Sequence, residues 1–224
     1  MLESIVTIAH RHRGPVRSGN GGYTAGLLAR SLDGVVEVTL RRPAPLETPL
    51  RVVVDEGSAR LFDGDGLVAE ARPTELGLDP PAPPSEEQAV AAARATGWGS
   101  PSFAECFVCG SRDDGSGLGI HPGPVPGREG LVAAPWAARE VSTEVVWAAI
   151  DCPGAWALLR PGEAEPLLGR MTARVQRLPR EGERCVVVGW PIGEEGRKLY
   201  AGTALYGDRS ELLALARQTW ILPR

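Results

Sequence analysis

The chain has 224 residues, a length that suits one large domain or two small ones with a substantial hydrophobic core. Hydrophobic residues make up 43% and charged residues 23%, and the net charge of −4 lacks the basic excess that would favour a nucleic-acid partner. The apolar runs are short and interrupted, which argues against a transmembrane helix, and the N-terminus lacks the order of a secretory signal. We therefore expect a cytoplasmic protein without a membrane span.

The first half of the chain predicts one helix followed by antiparallel strands. The run GGYTAGLLARSL (21–32) is rich in Ala and Leu and suits a helix that opens from a glycine loop. The stretches VVEVTLRRPAP, LRVVVDEGSARLFDG and GLVAEARPTEL then alternate apolar and polar residues as strands do. Between the last two, DGDG (63–66) marks a hairpin turn.

The middle of the chain separates two units. LDPPAPPSEEQ (78–88) is a proline-rich linker, EEQAVAAARATG predicts a short helix, and GSRDDGSGLGIHPGPVPGREG carries Gly and Pro too densely for regular structure. We therefore predict a first domain at 1–78, an insertion at 79–127 and a second domain at 128–224.

The second half repeats the order of the first. PLETPLRVVV, which starts at Pro45, resembles PREGERCVVV from Pro179, and LVAEAR ending at Arg72 resembles LLALAR ending at Arg217. The offset grows from 134 to 145 residues between these matches, which fits a longer hairpin around EEGRKLYAG (194–202) in the second copy. Repeated strings in register indicate an internal duplication.

An aspartate interrupts the apolar stretch VVWAAIDCPGAWALL, the helix-like segment of the second copy. Asp151 is a favoured cap for a helix starting near Cys152, and Pro153 is tolerated in a first turn. A carboxylate in apolar surroundings also costs free energy unless it is satisfied or used. Both interpretations stay open from the residues alone.

A helix with several antiparallel strands, present twice, resembles the tandem or double hotdog fold of the α+β class. More narrowly, the chain is similar to the type II acyl-CoA thioesterases and their relatives. GNGGYTAGLLA is similar to the glycine pair that opens that family's central helix, and WAAIDCPGAWALL resembles the segment that carries its aspartate. The resemblance implies a catalytic set of Asp151, Thr172 in LLGRMTARVQRLP and Gln218 in ALARQTWIL.

This resemblance implies cleavage of a thioester by water that these three side chains position, without metal or organic cofactor. The expected partner is an acyl-CoA or related thioester, and pairing into a homodimer is implied. Backbone N–H groups of Gly21, Gly22 and Tyr23 would bind the substrate at the start of a helix. The alternative is a non-catalytic acyl- or CoA-binding module of the same fold.

Thr172 and Gln218 also have plainer interpretations. Thr172 has good strand propensity, and strand alternation in ALARQTWIL leaves open whether Gln218 faces inward or outward.

The segment CFVCG contains a CxxC pair, which is a candidate metal site. Cys106 and Cys109, with His121 downstream and Cys152 as a further thiol, include ligand types that zinc prefers. A structural zinc normally takes four ligands, and nothing in the spacing requires this set, so we expect a packed thiol pair and no metal.

Other familiar sites are not expected. His10 and His12 in IAHRHRG are predicted to lie on the solvated surface. The sequence contains no GxSxG serine-hydrolase motif, no P-loop and no dinucleotide-binding glycine motif in a βαβ unit.

Overall fold

A computed structural model describes residues 1–15, 17–96, 103–112, 114–160 and 164–223. The helices are a 3₁₀ turn at His10–His12, α1 at Gly21–Ala29, α2 at Glu86–Arg94, α3 at Thr143–Ala149 and α4 at Cys152–Leu158. The strands are β1 Leu2–Thr7, β2 Val36–Leu40, β3 Pro49–Asp55, β4 Ser58–Asp63, β5 Gly66–Pro73, β6 Gly123–Pro124, β7 Val132–Ala137, β8 Leu167–Val175, β9 Arg184–Glu195, β10 Lys198–Tyr206 and β11 Leu212–Ile221.

These strands form one antiparallel sheet in the order β1-β3-β4-β5-β2-β8-β11-β10-β9-β7-β6. The two halves meet where β2 pairs with β8, for example at Val38 opposite Met171. If the two-residue strand β6 is set aside, both halves have the same order from the outside inward: first, third, fourth, fifth and second strand. The predicted α+β double hotdog architecture is therefore confirmed.

The extra length of the second copy lies where the sequence predicts it. The β9–β10 hairpin extends to Glu195 and Lys198, with Gly196 at positive φ in the turn. Strands β9 and β10 have 12 and 9 residues, against 7 and 6 in the corresponding strands β3 and β4.

The central helices α1 and α3 pack closely against each other. A Cβ added to Gly22 would lie 2.6 Å from the carbonyl oxygen of Trp147, and one added to Gly26 would lie 2.5 Å from Cα of Glu144. Residues four apart share one helix face, so these two glycines form the surface that α3 approaches. Larger residues at either position would force the helices apart.

The apolar segment 145–159 forms two helices rather than the single one predicted. Helix α3 ends at Ala149 and α4 begins at Cys152, so the chain breaks at Ile150 and Asp151. Pro153 explains the restart, because its ring is tolerated in a first helical turn and disrupts a helix interior. The break places Asp151 beside the first turn of α1.

The described part of the 79–127 segment contributes to the core. Ala89 and Ala92 of α2 are fully buried and pack in one cluster with Val188, Ala204 and Leu215 of the second half's strands. The predicted short helix thus covers the outer face of that sheet. Within the described ranges, none of the helices has the length and hydropathy needed to cross a membrane.

Candidate functional site

A mostly apolar cavity of about 290 Å³ opens beside the break between α3 and α4. We call it the central cavity. Its wall includes Asn20, Gly21, Asp151, Cys152, Trp156 and Leu168. A largely apolar cavity with a few polar groups is the usual form of a small-molecule site.

Asp151 supplies a buried carboxyl group to this wall. Its Oδ2 accepts hydrogen bonds from the backbone N–H of Gly22 at 2.8 Å and from Nδ2 of Asn20 at 3.1 Å. Its Oδ1 is buried and has no hydrogen-bond partner among the described residues. Burial raises the pKa of Asp151 to about 7, although the hydrogen bond from Gly22 acts in the opposite direction.

The interpretation that Asp151 caps α4 holds for its position but not for its side chain. Asp151 does occupy the N-cap position of α4, but in the described part of the chain its carboxylate makes no capping bond to that helix. The carboxylate instead accepts a bond from Gly22 in the first turn of α1, where unpaired N–H groups favour negative charge. Asp151 therefore links the two central helices.

Asn20 was missed by the sequence analysis. It caps α1, since its Oδ1 accepts a hydrogen bond from the N–H of Tyr23 at 2.8 Å, while its Nδ2 donates to Asp151. A preferred capping residue directly before a glycine-opened helix was a signal in the sequence. Its second contact was not, because Asp151 lies far along the chain.

Gln218 faces inward and is fully buried. Its amide donates to the carbonyl oxygens of Ile150 at 2.7 Å and Asp151 at 3.1 Å, and lies 3.3 Å from the hydroxyl of Thr203. Its carbonyl oxygen accepts a bond from the indole N–H of Trp220 at 2.8 Å. Gln218 thus holds the backbone of the helix break and does not contact the Asp151 carboxylate through these bonds.

Thr172 is not brought to Asp151 and Gln218. The neighbouring residue Met171 pairs with Gln218, and both point into the core, whereas Thr172 pairs with the exposed Arg217. Because side chains alternate along a strand, Thr172 lies on the outer face of the sheet. The threonine that contacts Gln218 is Thr203 of β10.

The three residues predicted to bind substrate have different environments. Gly21 lines the central cavity. The N–H of Gly22 donates to Asp151 and that of Tyr23 to Asn20, so both groups already have acceptors inside the protein. The ring of Tyr23 stacks on His12, with 4.0 Å between ring centroids.

The prediction that His12 lies on the solvated surface is wrong. It is 8% exposed, and burial, assisted by the nearby Arg11, lowers the pKa of its imidazole to about 4. Its contacts with Tyr23 and Phe107 are aromatic, so it packs as a core ring. His10, in contrast, is exposed as predicted.

Three cysteines meet at the same cavity. The sulfur atoms of Cys106, Cys109 and Cys152 all lie within 4.8 Å of one another, and all three residues line the cavity wall. Hydrogen bonding with the other two thiols lowers the pKa of the Cys106 thiol, and hydrogen bonding with Cys106 raises the pKa of Cys109 and Cys152. His121 lies elsewhere, with its Nε2 3.4 Å from the carbonyl oxygen of Gly110.

No family model matches this sequence, and no curated protein matches it. Solved structures do match over the whole chain. A candidate thioesterase from Novosphingobium aromaticivorans DSM 12444 is 13% identical with a TM-score of 0.66, covering 99% of this chain and 96% of that chain. The tesB protein of Mycobacterium avium subsp. paratuberculosis is 14% identical with a TM-score of 0.65, covering 99% and 93%.

The acyl-CoA thioesterase II TesB2 of Mycobacterium marinum gives a third match. It is 11% identical to this chain, with a TM-score of 0.63 and coverage of 99% of this chain and 93% of that chain. Likeness at this level of identity establishes the double hotdog fold over the full length. It does not establish the activity, because different activities occur on one fold.

Proposed function

We propose that the chain hydrolyses an acyl-CoA or a related thioester in the central cavity, with Asp151 as the base that activates water. The observation that carries this proposal is the buried Oδ1 of Asp151, which has no hydrogen-bond partner in the described part of the chain, beside a mostly apolar cavity that Asp151 lines. A buried polar atom without a partner costs free energy, and a bound water would satisfy it. The likeness in fold to acyl-CoA thioesterases favours a thioester as the substrate.

In the proposed reaction, Asp151 Oδ1 accepts a proton from a water molecule while the water oxygen attacks the thioester carbonyl carbon. The resulting tetrahedral intermediate collapses and the carbon–sulfur bond breaks. The proton returns from Asp151 to the leaving thiolate, so the products are a carboxylic acid and a thiol. No cofactor is required for these steps.

The neighbours of Asp151 have supporting roles in this proposal. Asn20 and Gly22 hold Oδ2 and thereby leave Oδ1 for the water. Gln218 is a positioning residue, since it fixes the carbonyls of the helix break on which Asp151 sits. Apolar side chains such as Trp156 and Leu168 would pack against the acyl chain. Thr172 has no part in it, because it lies on the outer face.

One observation favours the alternative, a non-catalytic acyl- or CoA-binding module. The amide of Gln218 has its hydrogen bonds inside the protein, and Thr172 faces away, so two of the three polar groups implied by the resemblance do not point at a ligand. Such a module would retain the cavity and bind the ligand without turnover.

The test is hydrolysis of a panel of acyl-CoAs, measured by the free thiol that the reaction releases. Wild type is expected to turn over, and Asp151→Asn to lose at least about tenfold in kcat, since a general base typically contributes about 10²–10⁴-fold. Asp33→Asn, which alters an exposed carboxylate, is the matched control and should match wild type. Equal turnover by Asp151→Asn would refute the mechanism, and calorimetric binding without hydrolysis by wild type would identify the module.

A further inference from the structure

The thiol cluster brings together residues that the sequence does not associate. Cys106 and Cys109 belong to the segment between the two repeats, whereas Cys152 is the first residue of α4. The sulfur atoms of Cys106 and Cys152 are 3.7 Å apart, and all three sulfurs lie within 4.8 Å of one another. Elsewhere among the described residues, Cys185 is buried in the core away from this group.

The sulfur spacing fits a metal ion better than a covalent bond. A tetrahedral zinc with Zn–S bonds of about 2.3 Å separates its sulfur ligands by about 3.8 Å. A disulfide requires an S–S distance of about 2.05 Å, which would need the Cys106 and Cys152 sulfurs to move together. We propose that Cys106, Cys109 and Cys152 bind one zinc ion at the wall of the central cavity.

Hydrogen-bond donors lie close to two of the three sulfurs. The backbone N–H of Val108 donates to Sγ of Cys106 at 3.4 Å, and Nδ2 of Asn20 lies 3.9 Å from Sγ of both Cys106 and Cys152. Donors of this kind compensate the negative charge of metal-bound thiolates and fix their orientation. The residue that holds the Asp151 carboxylate thus also faces two of the three sulfurs.

The turn that carries the first two ligands is fixed by the backbone. The N–H of Gly110 donates to the carbonyl of Cys106 at 2.9 Å, and that of Ile120 donates to Val108 at 2.9 Å. A Cβ on Gly110 would lie 2.5 Å from backbone atoms of Cys106, so the turn requires glycine directly after Cys109. Preorganised ligands lose less conformational entropy when they bind an ion.

The fourth ligand position would belong to the cavity. All three cysteines line it, and zinc with three protein ligands holds water or a substrate atom in the fourth position. Asp151 lines the same wall, and its Oδ1, which has no partner among the residues that the structure describes, could accept a hydrogen bond from a zinc-bound water. On binding, each coordinating thiol loses its proton, and the protons go to solvent.

This inference departs from the sequence expectation of no metal. That expectation considered Cys106, Cys109 and His121 with Cys152 as a further thiol, and nothing in the spacing required this set. The fold brings Cys152 to Cys106 and Cys109, while His121 is outside this group, with its Nε2 near the carbonyl oxygen of Gly110. The proposal does not depend on thioester hydrolysis, because the ion is detected by its binding.

The first experiment measures metal content in the full chain, purified without chelator, added metal or a metal-affinity step. Mass spectrometry is expected to find about one zinc per chain, as a structural or three-ligand catalytic site holds. Cys106→Ser, Cys109→Ser and Cys152→Ser should each retain less than about a tenth of that zinc. Cys185→Ala is the matched control, and it should keep the full content because Cys185 lies outside the cluster.

A second experiment uses the wild type alone, so it does not depend on the variants folding. A thiol alkylating reagent should leave the three cluster cysteines unmodified in the native protein, and treatment with a chelator should make them react. Titration of the metal-free chain with Co²⁺ should give the thiolate charge-transfer absorption of a tetrahedral site. An intact mass short by two hydrogen atoms would indicate a disulfide and overturn the proposal, as would a reduced chain that takes up neither zinc nor cobalt.

Discussion

The backbone N–H of Gly22 donates to Oδ2 of Asp151 at 2.8 Å, and this bond joins the first turn of α1 to the break that follows α3. The two residues lie so close that a Cβ added to Gly22 would be 2.5 Å from Cβ of Asp151. The two repeats therefore meet at the candidate catalytic carboxylate. A glycine that looks like a simple turn residue in the sequence in fact sets the distance between the two halves.

Gly22→Ala is expected to weaken both the fold and the site. The added methyl group would collide with Asp151 and with the carbonyl of Trp147, and overpacking of this kind costs about 1–3 kcal/mol in the free energy of unfolding. Urea unfolding measures this loss, and thioester turnover should fall with it. Gly193→Ala is the control, because no atom lies within 4 Å of its added Cβ. Equal stability of the two variants would contradict the close approach of the helices.

Gln218→Leu is expected to act through the helix break. The leucine cannot donate to the carbonyls of Ile150 and Asp151, and buried acceptors without partners cost about 1–3 kcal/mol each. Unfolding in urea should show this destabilisation, and kcat should fall more than KM changes because the carboxylate is misplaced. The exposed Gln176 offers a control in Gln176→Leu. A Gln218→Leu variant with wild-type stability and turnover would remove Gln218 from the site.

Thr172→Val tests whether Thr172 acts in catalysis, as the resemblance implies, or lies outside the site, as the strand pairing indicates. If Thr172 acted in the site, the loss of its hydroxyl would reduce turnover by an amount like that of Asp151→Asn. Thr172 is buried, but it lies on the sheet face opposite to Gln218 and does not line the central cavity. We therefore expect kcat and KM within about twofold of wild type, a difference below about 0.5 kcal/mol. Steady-state kinetics on the same acyl-CoA panel distinguishes the two. A loss of turnover without a loss of stability would return Thr172 to the mechanism.

The fold was largely predictable from the sequence because its evidence is local and repeated. The strings PLETPLRVVV and PREGERCVVV both end in strands at the same place in their half of the sheet, namely β3 and β9. Alternation and turn residues specify such strands without knowledge of distant contacts. Because the pattern occurs twice, the elements predicted from one copy strengthen the prediction of the same elements in the other.

The candidate site was predictable only in part, because its contacts join distant positions. The sequence pointed to Asp151 and to an inward-facing Gln218 as one possibility. Thr172 entered the predicted set through the resemblance alone, and strand pairing puts it on the face opposite to Gln218, because successive residues of a strand alternate between faces. Nothing in the sequence indicated that Asn20 contacts Asp151, and the sequence offered Cys152 as a partner of Cys106 without requiring it, because neither pair is close in the chain.

Glu183 forms an ion pair with Arg177. The side chain of Glu183 is completely covered and accepts bonds from Arg177 at 2.8 and 3.0 Å and from the N–H of Arg180 at 2.7 Å. These bonds, with that of Arg177 first, lower the pKa of Glu183 to about 2. A carboxyl group whose pKa is lower in the folded state stabilises the fold above its unfolded pKa of about 4.3.

The stabilisation from Glu183 should therefore be full at neutral pH and disappear as the pH falls from about 4.3 to about 2. Glu183→Gln should lose about 2 kcal/mol in the free energy of unfolding at pH 7, the scale of hydrogen bonds to a charged group. Its deficit relative to wild type should shrink through that acid range. Urea unfolding at several pH values measures both, with Glu181→Gln on the exposed part of the same loop as the control. A deficit that stayed constant down to the lowest pH would mean that packing, and not the charge of Glu183, stabilises this end of the sheet.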